Sequence, residues 1–141
     1  MAEHFEVSVG SGSLCIDDGI AMAHPWTGAG VTVQTDFTGA HLLHLSVAGC
    51  VLNDVYREAQ GVGIQIDGVR VTARGGFDEE WASTGITYDV AVDSAVDAED
   101  VERLLKRVDE VAEIPKTIRA AAVVHRDGHV PQAGLRAGLV D

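Results

Sequence analysis

His41-Leu-Leu-His-Leu-Ser-Val-Ala-Gly-Cys50-Val-Leu-Asn-Asp-Val-Tyr-Arg-Glu-Ala-Gln60 is apolar on nearly every side until Asn53. Leu42, Leu43, Leu45, Val47, Ala48, Cys50, Val51, Leu52, Val55 and Tyr56 are too continuous for a helix with a single core-facing stripe. A helix greasy all round must be covered, either by its own domain or by a second chain. The stretch therefore predicts a core helix. Thr38 or Asp36 is placed to cap its start, and Gly61 stands where it would stop.

On the N-terminal side, Phe5-Glu-Val-Ser-Val9 alternates with a period of two and reads as a strand. Gly10-Ser-Gly-Ser13 is a turn, and Leu14-Cys-Ile16 is the expected returning strand, closed by Asp17-Asp-Gly19. Val31-Thr-Val-Gln34 is a further short strand after a Pro25/Gly28/Gly30 loop. On the C-terminal side, residues 62–72 and 85–92 are strand-like. Asp67-Gly68 would suit a hairpin turn; the preferred reading is one long strand over 64–75, with the turn at 75–84. Residues 97–111 form an amphipathic helix: Asp97 caps it, acidic residues fill its first turn, and Val101, Leu104, Leu105, Val108 and Val111 make one stripe. Pro115 is expected to end it, Ile118–Val124 to be a last strand, and 126–141 a mobile tail. The division predicted is one α+β domain over 1–125 with a C-terminal tail at 126–141.

The 141 residues suit a single domain, and 46% hydrophobic against 23% charged is ordinary for a globular chain. Net charge is −12, from 22 acidic and 10 basic side chains. Such a surface repels phosphate backbones and anionic lipid, so no nucleic acid and no membrane is expected as partner. The N-terminus lacks a signal peptide's basic and apolar regions, and two cysteines do not make a secreted scaffold. A cytoplasmic location is expected.

Cys50 is the leading candidate for chemistry. A cysteine on an apolar helix is ordinarily a small buried hydrophobe, and a reactive one needs a cation, a helix N-terminus or a base to lower its pKa. No Lys or Arg precedes Arg57. His41 and His44, one turn apart and ahead of Cys50, are candidates for base or cationic partner; the bland reading makes them hydrogen-bonded interface or pocket residues. A metal held by His41, His44 and His24 would rest on spacing alone, so none is expected, nor any cofactor. Trp26 and Trp81 read as core or pocket rim. Asp17-Asp18 and Asp78-Glu-Glu80 read as solvated turns. Gly61-Val-Gly63 follows a helix and precedes a strand, the wrong order for a dinucleotide loop.

Ser46-Val-Ala-Gly-Cys50 inside a long helix, followed by a glycine, a strand pair, an acidic helix and Pro115-Lys-Thr-Ile118, resembles the OsmC/Ohr family, with order and spacing matching from about Val31 to Val124. The resemblance implies an α+β fold of antiparallel sheets around a buried central helix. It also implies an intertwined homodimer with the two central helices back to back, and thiol-dependent reduction of hydroperoxides. Cys50 matches the peroxide-attacking position. The family's second cysteine falls at Ala112 or Ile114, and the carboxylate ten residues ahead of the first falls at Ala40. The function expected is a divergent thiol peroxidase that uses Cys50 on a small hydroperoxide and is recycled by an external thiol reductant. The alternative is a non-catalytic dimer of the same fold that binds a small apolar molecule.

Overall fold

The structure, a computed structural model, describes residues 3–128. Its elements are β1 (Glu3–Gly12), β2 (Ile20–His24), β3 (Thr27–Gln34), α1 (Gly39–Gly61), β4 (Gly68–Phe77), β5 (Ser83–Asp93), α2 (Ala98–Val111) and α3 (Glu113–Ala120). The strands form one antiparallel sheet in the order β2-β3-β1-β4-β5. The fold class expected from sequence, α+β with an antiparallel sheet packed on a central helix, is the one found, with a single sheet.

The alternation that predicted β1 has a physical outcome. Val7 and Val9 face inward beside Val69, Val71 and Ala73 of β4 and Val33 of β3, all buried. Across them lies α1, contributing Val47, Ala48, Val51, Leu52, Val55 and Ala59. The other side of α1 is met by Leu104 and Val108 of α2, which complete the core. The opposite sheet face is polar, with Ser8 hydrogen-bonded to Thr72, and Arg74 reaching Glu6 and Asp89 on the two neighbouring strands.

Thr38 is the α1 cap: its hydroxyl accepts from the His41 N–H at 3.1 Å. Asp97 caps α2 in the same way, accepting from Asp100 N–H. Asp67-Gly68 begins β4 and does not turn a hairpin; the β4–β5 connection runs through 78–82, close to the preferred reading.

Three local expectations are corrected. Residues 14–16 are not a strand: Gly12, at φ +57°, turns the chain out of β1, Ser13 N–H bonds to Asp67 O, and the next strand, β2, starts only at Ile20 and pairs with β3 rather than β1. The strand expected at Val31–Gln34 is the second half of β3, whereas β2 buries little and left no alternation to read. Residues 118–124 are not a strand either. Ala112 is extended (ψ 123°) and stops α2, and the chain re-enters a helix at Glu113. Pro115 sits in the first turn of α3, where a missing N–H removes nothing the helix uses. It therefore helps start a helix rather than ending one. The tail expected at 126–141 lies outside the described residues from 129 onward.

Candidate active site

Cys50 sits in the middle of α1, partly exposed, where α3 packs against that helix. The α3 N-terminus has no side-chain cap. Its first backbone N–H groups, those of Ile114 and Glu113, are directed at the Cys50 sulfur instead. Free N–H groups and the positive end of the helix dipole favour an anion there. The sequence held no visible source of this help, because the donors are main-chain atoms sixty residues away.

Two carboxylates oppose it. The Cys50 sulfur and carboxylate oxygens of Asp54 and Glu113 all lie within 4.8 Å of one another. Burial, with smaller contributions from these two charges, pushes the Cys50 thiol above its ordinary value despite the α3 amides. Asp54 is 2% exposed. Burial is the largest influence on its carboxyl; Arg57 works against it, and the hydrogen bond and charge of Glu113 add to it, so the group is pushed up to about 6. Glu113 moves the other way: its own backbone N–H and the Arg57 guanidinium hold it below the usual carboxylate range. Below about pH 6 Asp54 therefore carries a proton, with the ionised Glu113 beside it to accept it.

Arg57 closes the cluster, 2.8 Å from Asp54, 3.3 Å from Glu113 and 3.4 Å from Glu58. Arg107 of α2 reaches Glu58 at 3.3 Å. Cys50, Asp54 and Arg57 are at i, i+4 and i+7, one helical face, a spacing that is legible in the sequence. Glu113 was not legible, since only the fold brings α3 to α1.

The histidines lie elsewhere. His44 is fully buried, donates from Nδ1 to the Ala40 carbonyl at 2.7 Å, and packs on Phe5 and Phe77. Its Nε2 has no partner among the described residues. His41 is tied to the Thr38 hydroxyl at 2.6 Å and lies edge-on to Phe5. His24 is held by Thr27 and Asn53. These three do not converge on one point. Among the described residues the group with metal-ligand spacing is Cys50, Asp54 and Glu113, and Arg57 already neutralises its carboxylates. Cys15 is exposed in the turn after β1, its carbonyl accepting from Arg70, and no contact links it to Cys50.

A shallow apolar groove of about 190 Å³ runs between α1 and the β2–β3 hairpin, lined by Met22, Val31, Leu45, Gly49 and Leu52 among others. Ile20, Met22 and Trp26 nearby are exposed.

Comparison with known proteins places these features in a context. Residues 32–126 match the family model described as OsmC-like protein. A solved structure, an OsmC-like hydroperoxide resistance protein from Jannaschia sp. CCS1, shares the fold at a TM-score of 0.58, with 14% identity over 98% of each chain. No curated protein matches the chain.

Proposed function

Because this chain belongs to the OsmC-like family, we propose that it reduces hydroperoxides through the thiol of Cys50. The observation that carries the reading is the position of Cys50: mid-helix, in a half-buried residue, its sulfur at the uncapped start of α3 beside the backbone N–H groups of Glu113 and Ile114. A thiolate at a helix N-terminus is the attacking form of cysteine. The name of the structural relative, a hydroperoxide resistance protein, points to the same substrate class.

The chemistry is a two-electron transfer. The thiolate attacks the terminal peroxide oxygen, the O–O bond breaks, and Cys50–SH plus ROOH become Cys50–SOH plus ROH. No second cysteine stands near the sulfur, so an external thiol condenses with the sulfenic acid, releasing water. A second equivalent restores Cys50 and leaves as disulfide. His41 and His44 brace the start of α1 against Phe5 and Phe77 and take no part in this scheme. The apolar groove beside Gly49 supports a second copy of the chain as partner, laid along the Leu42–Leu45–Gly49 side of α1. The same groove favours the other reading, a fold that holds a small apolar molecule without chemistry.

Thiol counting during titration with cumene hydroperoxide tests the assignment. Cys50 is expected to be lost faster than free cysteine at the same pH and to return on addition of a dithiol. A rate no better than free cysteine would leave the binding reading in possession.

A further inference from the structure

A peroxide cannot be cleaved by a thiolate alone at useful speed unless the departing alkoxide or hydroxide receives a proton. The carboxyl pair beside Cys50 is placed to take one from the thiol and hand it on. We propose that the proton shared by Asp54 and Glu113 is delivered to the oxygen that leaves when the Cys50 sulfur breaks the O–O bond; this rests on the reading of Cys50 as the peroxide-attacking thiol.

Both carboxyl groups lie within 4.8 Å of the sulfur, the space an S···O–O array would occupy. Asp54 is almost wholly covered, whereas Glu113 reaches the surface, its side chain 64% exposed. The pair therefore runs from the interior to the solvent, and a proton spent at the sulfur is replaced from outside. Arg57 bonds both carboxylates and balances the single negative charge of a one-proton pair. The charged groups around Asp54 are Arg57 and Glu58 on α1, Glu113 on α3 and, one step away through Glu58, Arg107 on α2. The sheet under α1 presents its apolar core and the Ser11 hydroxyl, which is bonded to Tyr56 at 2.7 Å.

The step balances. Cys50–SH passes its proton to the pair as the sulfur attacks; an S–O bond forms and the O–O bond breaks with two electrons from sulfur. The pair then protonates RO⁻ to ROH, and the hydroxyl of the sulfenic acid is the peroxide's own. Asp54 retains its proton to about pH 6 and the thiol ionises well above that. The reactive form, thiolate with protonated pair, has a constant population between the two and is lost on the acid side.

The test uses a Cys15→Ser background so that only Cys50 is counted, with hydrogen peroxide and peracetic acid as oxidants. Peracetic acid expels acetate, a stable anion that needs no proton. Toward hydrogen peroxide the background protein is expected to react at a level rate near neutrality, with a limb falling below about pH 6. Toward peracetic acid the rate should climb with thiolate and show no such limb. Asp54→Asn should lose on the order of 10²-fold toward hydrogen peroxide, the usual worth of a positioned acid. It should equal or exceed the background toward peracetic acid, because a charge that raised the thiol is gone. Glu113→Gln, a change at the surface, should give a smaller loss toward hydrogen peroxide and move the limb to lower pH. Equal slowing toward both oxidants, or no slowing toward hydrogen peroxide, overturns the proposal. A background protein no faster than free cysteine with either oxidant removes the Cys50 assignment itself, and the proposal with it.

Discussion

Asp54 illustrates how a single buried group can weaken a fold. In the unfolded chain it has an ordinary aspartate pKa; in the fold it keeps its proton to about pH 6. The folded state therefore binds more protons than the unfolded state between the ordinary aspartate range and about pH 6, and stability declines as pH rises through that window. Asp54→Asn should remove that decline, so urea midpoints measured at about pH 4.5 and 7 should lie closer together than in the parent. The depressed carboxyl of Glu113 acts in the opposite sense, as pH falls below the ordinary glutamate range. A parent midpoint that rises from pH 4.5 to 7 as steeply as the variant's would contradict the buried, proton-holding Asp54.

Among the elements, β4 meets α1 through a glycine. A Cβ built on Gly75 would lie 2.3 Å from the Gly85 carbonyl oxygen of β5 and 2.6 Å from His44 Nε2. The first is backbone and cannot swing aside; the second is a fully buried ring held by Phe5 and Phe77. Gly75→Ala should accordingly destabilise the fold by about 1–3 kcal/mol, the range for forcing a methyl into a filled core, read as a lowered urea midpoint with unchanged slope. Retained stability would mean that β5 or the His44 ring moves freely, contrary to the packing described. The β-hairpin and α1 are thus keyed together at the one place where both lack a side chain to spare.

For the whole molecule, the distribution of surface is uneven. One sheet face is covered by α1, and the edge hairpin beside it leaves Ile20, Met22 and Trp26 exposed next to Leu45 and Gly49. Exposed apolar clusters of this kind mark interaction surfaces. In the proposed dimer a second copy covers them, with Gly49 allowing close approach: a Cβ there meets nothing within 4 Å in the single chain. Gly49→Leu should leave circular dichroism unchanged while shifting native mass from two chains to one. A parent protein that is a single chain at micromolar concentration, or a variant that still pairs, would end the dimer proposal. Among the described residues no helix is long and apolar enough to cross a membrane.

By itself the sequence determined that α1 is a core helix started by Thr38 or Asp36, that β1, β4 and β5 alternate about a buried face, and that Asp97 starts α2. It also singled out Cys50. These are legible because periodicity and capping are set within a few residues. It disclosed Val31–Gln34 of β3 but not β2 or the start of β3, which bury too little to leave a pattern. Nor did it disclose α3, whose helix-forming residues follow a proline that reads equally as a stop. The setting of Cys50 was decided by tertiary structure alone. Glu113 and the amides at the start of α3 come to the sulfur from more than sixty residues away. Their effect depends on burial and on distances of a few ångströms, and neither is written in the order of residues.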